Sequence, residues 1–299
     1  MQTSTAARAT GETLGAPSRA QVARTTGSAS ALNRVAGALA CPACRVPLTR
    51  AADSFTCPSC ARRFAIVDGV VDMHLEGQVA HWQVDAWAEH WTPRRSPLEH
   101  LLSFYRKSIC ARIVRDAFSR FMPASGVFVE AGSGTAETSS LIEKNGGERV
   151  LVAQDFVPAV LRMTHPVIDV CVSGDIFRMP FADNSLDGLW NVGVLEHYTH
   201  EEIDRALQEF RRVLRPGGRV LIFWPATSSV PQKILVAGAA TVGVLTGRGA
   251  GHRFHPPEIS QLHSNAEGHE ILRRNGLRGV AVTGGIAGLI AFKTVVGEK

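Results

Sequence analysis

The stretch Phe128-Val-Glu-Ala-Gly-Ser-Gly-Thr-Ala-Glu137 decides the fold. An apolar strand ends here in the acid Glu130, and a turn through Gly132 and Gly134 leads into a predicted helix. Glycines at these positions let the backbone turn sharply and approach a ligand closely. A dinucleotide site would need a third glycine at position 137, where a glutamate charge is unfavourable beside a pyrophosphate. The stretch therefore favours a ligand that carries an ammonium and a sulfonium but no phosphate.

Short apolar strands alternate with helices from Pro123 onward. The predicted strands are 127–131, 149–155, 168–172, 186–191, 219–225, 277–283 and 289–296, and the predicted helices are 135–144, 157–163, 201–214 and 267–275. This alternation predicts an α/β fold with a Rossmann-like, doubly wound sheet of seven strands that is covered on both faces. The short connection at 284–288 predicts that the last strand runs antiparallel to its neighbour.

Acidic residues stand at the ends of successive predicted strands. Asp155 closes the second strand, where a carboxylate can accept hydrogen bonds from both ribose hydroxyls of a nucleoside. Asp175 follows the third strand and can accept from an adenine amino group, while Ile176 offers an apolar wall for the ring. Each acid alone is typical of a surface or capping carboxylate. Their joint position at successive strand ends indicates a nucleoside site.

Six motifs resemble class I S-adenosylmethionine-dependent methyltransferases over about residues 98–298: Glu130-Ala-Gly-Ser-Gly-Thr135, the acid at Asp155, Gly174-Asp175, Pro180-Phe-x-Asp-x-Ser-x-Asp187, Leu195-Glu-His197 and Arg212-Val-Leu-Arg-Pro-Gly-Gly218. The resemblance implies S-adenosylmethionine as cofactor, with contacts along the strand ends. Glu130, Gly132, Ser133 and Gly134 would face its methionine moiety, Asp155 its ribose, Asp175 and Ile176 its adenine, and Asn191 the methyl group. Glu196 and His197 follow the fourth strand, where an acceptor can reach them. His197 is a candidate general base, and the alternative is that this pair is architectural.

Two Cys-x-x-Cys knuckles, Cys41-Pro-Ala-Cys44 and Cys57-Pro-Ser-Cys60, precede this region. Their spacing predicts a tetrathiolate zinc site with a structural role, since a module of ~35 residues needs the metal to fold. The pattern that continues through Phe64-Ala-Ile-Val-Asp-Gly69 resembles the zinc ribbons found beside methyltransferases or as their partners.

The chain divides into four predicted parts. Residues 1–38 form a disordered tail, 39–75 the zinc ribbon, 76–125 a helical lead-in, and 126–299 the methyltransferase domain with a substrate-side insertion at 226–266. We expect residues 98–299 to bind cofactor without the ribbon. We also expect a cytoplasmic protein, and the alternative is an organelle transit peptide in residues 1–40.

Charge and hydropathy limit the acceptor. The net charge of +5 divides into +3 for residues 1–40, +1 for residues 41–75 and +1 for residues 76–299, which disfavours an extended phosphate-tracking surface. No apolar run reaches the ~18–20 residues of a membrane-spanning helix. The apolar segment 233–248, flanked by basic residues, predicts a lid over the pocket, with peripheral membrane contact as the alternative.

Three functions remain open at this point. The first is methyl transfer to a small-molecule acceptor that is apolar or related to lipids or glycans. The second is ribosomal RNA base methylation, because a tetracysteine ribbon before this fold resembles the 23S rRNA guanine-N1 methyltransferases. The segment Asn191-Val-Gly-Val194 stands where families that methylate exocyclic amines have an Asn-Pro-Pro-aromatic signature. This difference argues against methylation of a base amine but not of a ring nitrogen. The third is a non-catalytic scaffold that keeps the fold.

Overall fold

An eleven-stranded mixed sheet runs through the part of the chain that the computed structural model describes, residues 29–75, 103–225, 238, 258–284 and 292–299. Its strands are β1 (Thr49–Arg50), β2 (Ser54–Thr56), β3 (Arg63–Val67), β4 (Val70–Asp72), β5 (Gly126–Ala131), β6 (Arg149–Asp155), β7 (Val170–Ser173), β8 (Leu186–Val192), β9 (Leu214–Pro225), β10 (Arg278–Thr283) and β11 (Phe292–Glu298). Their order across the sheet is β1-β2-β3-β4-β7-β6-β5-β8-β9-β11-β10.

The centre of the sheet is parallel. The neighbours β7, β6, β5, β8 and β9 pair in parallel, whereas β11 pairs antiparallel with both β9 and β10. Since β5 lies between β6 and β8, the strand order reverses there. Ligands of doubly wound sheets bind at such a reversal, in the crevice outside the carboxyl ends of the strands.

Five α-helices accompany the sheet in the described residues: α1 (Ala29–Ala36), α2 (Ala111–Phe121), α3 (Pro158–Leu161), α4 (His200–Val213) and α5 (Asn265–Arg274). A π-helical turn, Arg106–Cys110, leads directly into α2. Helix α4 begins behind a capping box, in which the Thr199 side chain accepts from Glu202 N and the Glu202 side chain accepts from Thr199 N. Its apolar stripe is buried, as expected for a helix that packs on a sheet.

The predicted seven-stranded sheet is too small, because the zinc ribbon adds its four strands to the same sheet. Strand β4 pairs in parallel with β7, with Val70 opposite Cys171 and Asp72 opposite Ser173. The buried ribbon residue Phe55 belongs to the same apolar core as Val152 of β6. Local sequence patterns do not encode this pairing, since the two strands are about 100 residues apart.

Polar contacts also join the ribbon to the domain. Arg45 pairs with Glu209 at 3.1 Å, and the Arg178 guanidinium donates to the carbonyls of Pro42 and Ala43. Together with the strand pairing, these contacts lead us to revise the expectation that the methyltransferase domain is independent of the ribbon.

The predicted disordered tail extends too far toward the ribbon. Helix α1 occupies its last part, and Val35 and Leu39 are fully buried. Arg34 donates to the carbonyls of Gly147 and Glu148 at 2.8 and 2.7 Å. The prediction used the low average hydrophobicity of the first 40 residues, and this average does not detect one short amphipathic helix at the end of the segment. Residues 1–28 lie outside the described part of the chain.

The helix predicted at 135–144 is reduced to a single 3-10 turn, Glu137–Ser139. Ala136 adopts a left-handed conformation with φ of 53°, which interrupts a right-handed helix before it starts. Ser139 then uses its hydroxyl for a contact with the strand rather than for solvent. The conformation after β5 is therefore determined by the left-handed Ala136 and the Ser139–Glu130 hydrogen bond, and not by helix propensity.

Several predictions concern residues outside the described part of the chain. They include residues 76–102 of the helical lead-in, most of the insertion 226–266, and nearly all of the segment 233–248. The remaining part of the lead-in forms the π-helical turn and α2. Among the described residues, every helix is too short or too polar to cross a bilayer.

Candidate cofactor and metal sites

The turn after β5 depends on its two glycines. Gly132 and Gly134 have φ of 71° and 51°, values that favour glycine. A Cβ on Gly132 would lie 2.8 Å from a methyl of Val194, so any side chain there would clash. The amides of Gly132 and Ser133 donate to the Gln154 carbonyl at 2.8 and 3.0 Å, which fixes the turn against the end of β6.

Asp155 holds the turn in place from the end of β6. One carboxylate oxygen accepts from Gly134 N at 2.9 Å, and the other accepts from Val157 N at 2.9 Å. Burial raises the pKa of this carboxyl, while these backbone bonds act in the opposite direction. The predicted ribose ligand is therefore part of the loop framework, and each oxygen keeps a further lone pair for a ligand hydroxyl.

Glu130 ends in a buried polar network beneath the turn. Ser139 Oγ donates to Glu130 Oε2 at 2.8 Å, and Trp190 Nε1 donates to Ser139 Oγ at 3.0 Å. Glu130 is 1% exposed, and burial raises the pKa of its carboxyl from 4.5 to about 8. A cationic ligand would restore the charged form, because a nearby positive charge stabilises a carboxylate.

Glu130→Gln is expected to separate the stability of the free protein from its affinity for the cofactor. Because burial raises the carboxyl pKa to about 8, the folded state binds more protons than the unfolded state between about pH 5 and about pH 8. Stability therefore falls as the pH rises through this window, and the neutral variant should be more stable than the wild type above about pH 8. It should also bind S-adenosylhomocysteine about tenfold more weakly, since the partner of the ligand ammonium is lost.

Denaturant unfolding at a series of pH values, together with calorimetric titration, measures both effects of this change. Glu143→Gln, at an exposed glutamate, is the matched control and should alter neither quantity. Parallel stability–pH curves for Glu130→Gln and the wild type would contradict the assignment.

Two buried amides leave acceptors without partners among the described residues. Asn191 donates to the Ala131 carbonyl at 2.8 Å, but its Oδ1 has no partner. Gln154 donates to the Gly174 carbonyl at 3.0 Å, and its Oε1 is likewise unpaired. Both residues are fully buried, where an unsatisfied acceptor is costly. Such atoms fit a polar ligand at the strand ends.

The loop after β7 carries the two residues that the sequence analysis predicted for the adenine. Asp175 accepts from Phe177 N at 2.8 Å, and Ile176 is buried. The Phe177 ring meets Tyr198 edge to face, with ring centroids 5.1 Å apart. An acid and apolar side chains therefore meet in this loop, and their role toward an adenine stays a prediction.

Glu196 and His197 are buried rather than open to an acceptor. His197 Nε2 lies 3.7 Å from Glu196 Oε1, and the two side chains are only 3% and 5% exposed. Burial raises the pKa of Glu196 well above its ordinary value. The Glu196 carbonyl accepts from Ile259 N and Ser260 N, which fixes the loop before α5. This packing favours the architectural alternative, and a catalytic role stays a prediction.

The charge of Glu137, which argues against a pyrophosphate, is neutralised locally. Glu137 pairs with Arg106 at 2.8 Å and with Lys107 at 3.1 Å, and it accepts from Ser103 Oγ at 2.7 Å. It therefore anchors the helical lead-in to the turn after β5, a role that the motif alone did not reveal.

Sequence reasoning also missed Gln154, Ser139 and Trp190. Gln154 carried a signal, since it is a polar residue in the otherwise apolar strand Val150-Leu-Val-Ala-Gln154. Ser139 and Trp190 carried none, because a serine after a glycine turn and a tryptophan in a strand are both common.

The four ribbon cysteines form the predicted metal centre. The sulfur atoms of Cys41, Cys44, Cys57 and Cys60 all lie within 4.8 Å of one another, and those of Cys41 and Cys60 are 3.8 Å apart. Four thiolates at about 2.3 Å from a zinc ion lie about 3.8 Å apart in a tetrahedron. The cluster therefore fits structural Zn²⁺.

Comparisons with known proteins agree with both parts of the molecule. Residues 129–222 match the methyltransferase domain family, and residues 38–69 match the Trm112p-like protein family. A methyltransferase structure from Thermotoga maritima, described as dependent on S-adenosylmethionine, aligns with a TM-score of 0.50 and 16% identity over 71% of this chain and 99% of that one. At this identity, the likeness shows the fold.

Among curated relatives, a malonyl-[acyl-carrier protein] O-methyltransferase of Herminiimonas arsenicoxydans is 29% identical over 39% of this chain and 43% of its own length. A ubiquinone/menaquinone biosynthesis C-methyltransferase of Syntrophotalea carbinolica is 26% identical over 66% of this chain and 88% of its own length. The chain spans less than half the length of several relatives that it matches.

The strand order, the glycine turn and the domain match place a class I S-adenosylmethionine-dependent methyltransferase domain in this chain. Within this class, the chain combines the methyltransferase domain with an N-terminal Trm112p-like tetracysteine ribbon. Its cofactors are accordingly S-adenosylmethionine and structural zinc.

Proposed function

We propose that this protein transfers the methyl group of S-adenosylmethionine to a small-molecule acceptor. The observation that carries the proposal is the convergence of the Gly132–Gly134 turn, the Asp155 carboxylate and the unpaired Asn191 oxygen at neighbouring strand ends. In this arrangement, Glu130 and the turn hold the methionine moiety, Asp155 the ribose, and Asp175 with Ile176 the adenine. Asn191 lies beside the methyl group.

The reaction is a displacement at a sulfonium carbon, for which alignment supplies most of the catalysis. Bound S-adenosylmethionine would supply the methyl group to the acceptor lone pair, with its carbon–sulfur bond breaking and S-adenosylhomocysteine as the leaving group. A base is needed only where the acceptor loses a proton, and His197 is the candidate for that case.

Several observations support a small acceptor. Residues 76–299 carry a net charge of only +1, which offers little attraction to a phosphate backbone. The relatives whose names give an acceptor act on a malonyl carrier protein or in quinone biosynthesis. We further propose a cytoplasmic location, since none of the six cysteines in the described ribbon and domain forms a disulfide.

One observation favours ribosomal RNA as a second candidate acceptor. The Trm112p-like ribbon precedes the methyltransferase domain and shares a sheet with it, so an RNA-directed role for the ribbon is the competing proposal. Both acceptors use the same cofactor site.

Transfer of a labelled methyl group distinguishes these candidates. The full chain is incubated with methyl-labelled S-adenosylmethionine and either an extract of metabolites and lipids or total RNA. Label in the small-molecule fraction supports the proposal, and label confined to RNA contradicts it in favour of the second candidate. No label in either fraction, from protein that binds the cofactor, would favour the scaffold.

A further inference from the structure

A polar cluster lies where the ribbon joins the methyltransferase sheet. Asp72 ends β4 and faces Ser173, which ends β7. One oxygen of Asp72, Oδ1, accepts from Ser173 Oγ at 2.8 Å and from both nitrogen donors of His74, the ring Nδ1 at 2.7 Å and the backbone N at 3.2 Å. The imidazole of His74 is therefore held in one orientation.

The cluster also fixes the tautomer of His74. Burial acts to raise the pKa of Asp72, but hydrogen bonds from Ser173 and His74 hold it below its ordinary value. An ionised carboxylate only accepts, so Nδ1 of the imidazole carries the proton. In the neutral ring, Nε2 is consequently an acceptor.

This acceptor is buried and has no partner in the part of the chain that the structure describes. The imidazole lies edge-on against Phe156, with ring centroids 4.7 Å apart. Phe156 directly follows Asp155, the carboxylate proposed to hold the ribose. A residue of the ribbon segment thus places an unsatisfied acceptor beside the nucleoside end of the site.

We infer that His74 Nε2 accepts a hydrogen bond from a ribose hydroxyl of the bound cofactor. This inference rests on the proposed function. With the ribose held by Asp155, its hydroxyls would be the ligand's hydrogen-bond donors nearest to Nε2, whereas the sulfonium has no proton to donate. Asp155 and His74 then share the ribose, and the ribbon segment contributes directly to cofactor binding. Ser173 and Asp72 are positioning residues that act through His74.

The test combines two variants with ribose-modified ligands. His74→Asn can keep a donor toward Asp72 without an atom at the place of Nε2, while His74→Phe keeps an aromatic ring against Phe156 without either nitrogen. Calorimetric titration uses S-adenosylhomocysteine and its 2′-deoxy and 3′-deoxy analogues. Both variants should bind S-adenosylhomocysteine about threefold to tenfold more weakly than the wild type. One of the two analogues lacks the hydroxyl that His74 contacts. Relative to S-adenosylhomocysteine, this analogue should lose less affinity in the variants than in the wild type.

His269→Phe changes an exposed histidine on α5 and is the matched control, with unchanged affinities expected. The thermal midpoint and the zinc content are measured for every variant. If one of the two His74 variants fails to fold, the affinities of the other variant test the inference. If removal of either hydroxyl lowers the affinity of the variants as much as that of the wild type, the inference about His74 is overturned while the proposed function stands. Absence of S-adenosylhomocysteine binding by the wild type would overturn the proposed function as well.

Discussion

Asp155→Ala is expected to weaken S-adenosylmethionine binding by about 100-fold or more, because two hydrogen bonds from ligand hydroxyls to a charged carboxylate are lost at about 1.5–3 kcal/mol each. The same change releases the amides of Gly134 and Val157, which the carboxylate holds at 2.9 Å. The glycine turn then loses its anchor at the end of β6. Isothermal titration calorimetry measures the loss directly.

Asp169→Ala is the matched control for this variant. Asp169 also accepts from a backbone amide, Leu151 N at 2.9 Å, and it pairs with Lys144 at 2.7 Å. It lies just before β7, at the opposite end of the strands from the crevice. We expect this control to lower stability without changing affinity. Similar affinity losses in both variants would mean that Asp155 acts only through stability, and an unchanged affinity in Asp155→Ala would remove it from the ribose site.

The double substitution of Cys41 and Cys44 by Ser is expected to release zinc and to lower the Tm of the whole chain by about 10 °C or more, since each kcal/mol shifts the Tm of a protein of this size by about 2–4 °C. Without the metal, a ribbon of ~35 residues does not hold its fold. The loss then removes the β4–β7 pairing and the contact of Arg45 with Glu209. Calorimetric unfolding and metal analysis measure the two effects.

Cys171→Ala is the control for this substitution, because it removes a buried thiol of β7 that lies outside the metal cluster. It should keep the zinc content of the wild type and lose far less stability than the double variant. Two separate unfolding transitions, with that of the methyltransferase domain unchanged in the double variant, would contradict the coupling. Retention of zinc by the double variant would contradict the ligand assignment.

Local sequence patterns predicted the strands, turns and metal ligands that residues close together in the sequence determine. The alternation of short apolar strands with helices anticipated β6 at Arg149–Asp155, and the glycine turn marked the end of β5. The paired Cys-x-x-Cys knuckles predicted the metal cluster, because the ligands of a zinc ribbon come in short, regularly spaced groups.

Long-range contacts account for most of what the sequence did not predict. The pairing of β4 with β7 depends on two short strands that are distant in sequence, so no local pattern distinguishes it from an ordinary ribbon edge. The same pairing brings His74 to Phe156, beside the proposed nucleoside site. The missing helix after β5 has a local cause, the left-handed Ala136, but helix propensity alone favours alanine there.

Calorimetric titration of the zinc-loaded, full-length chain with S-adenosylmethionine and, in parallel, with NADH tests the central claim most directly. The glycine turn has Glu130 beneath it and lacks the third glycine of a dinucleotide-binding turn, so it favours a cationic ligand over a pyrophosphate. We therefore predict micromolar binding of S-adenosylmethionine and no binding of NADH. Binding of NADH, or no binding of S-adenosylmethionine by folded protein, would contradict the assignment of this site.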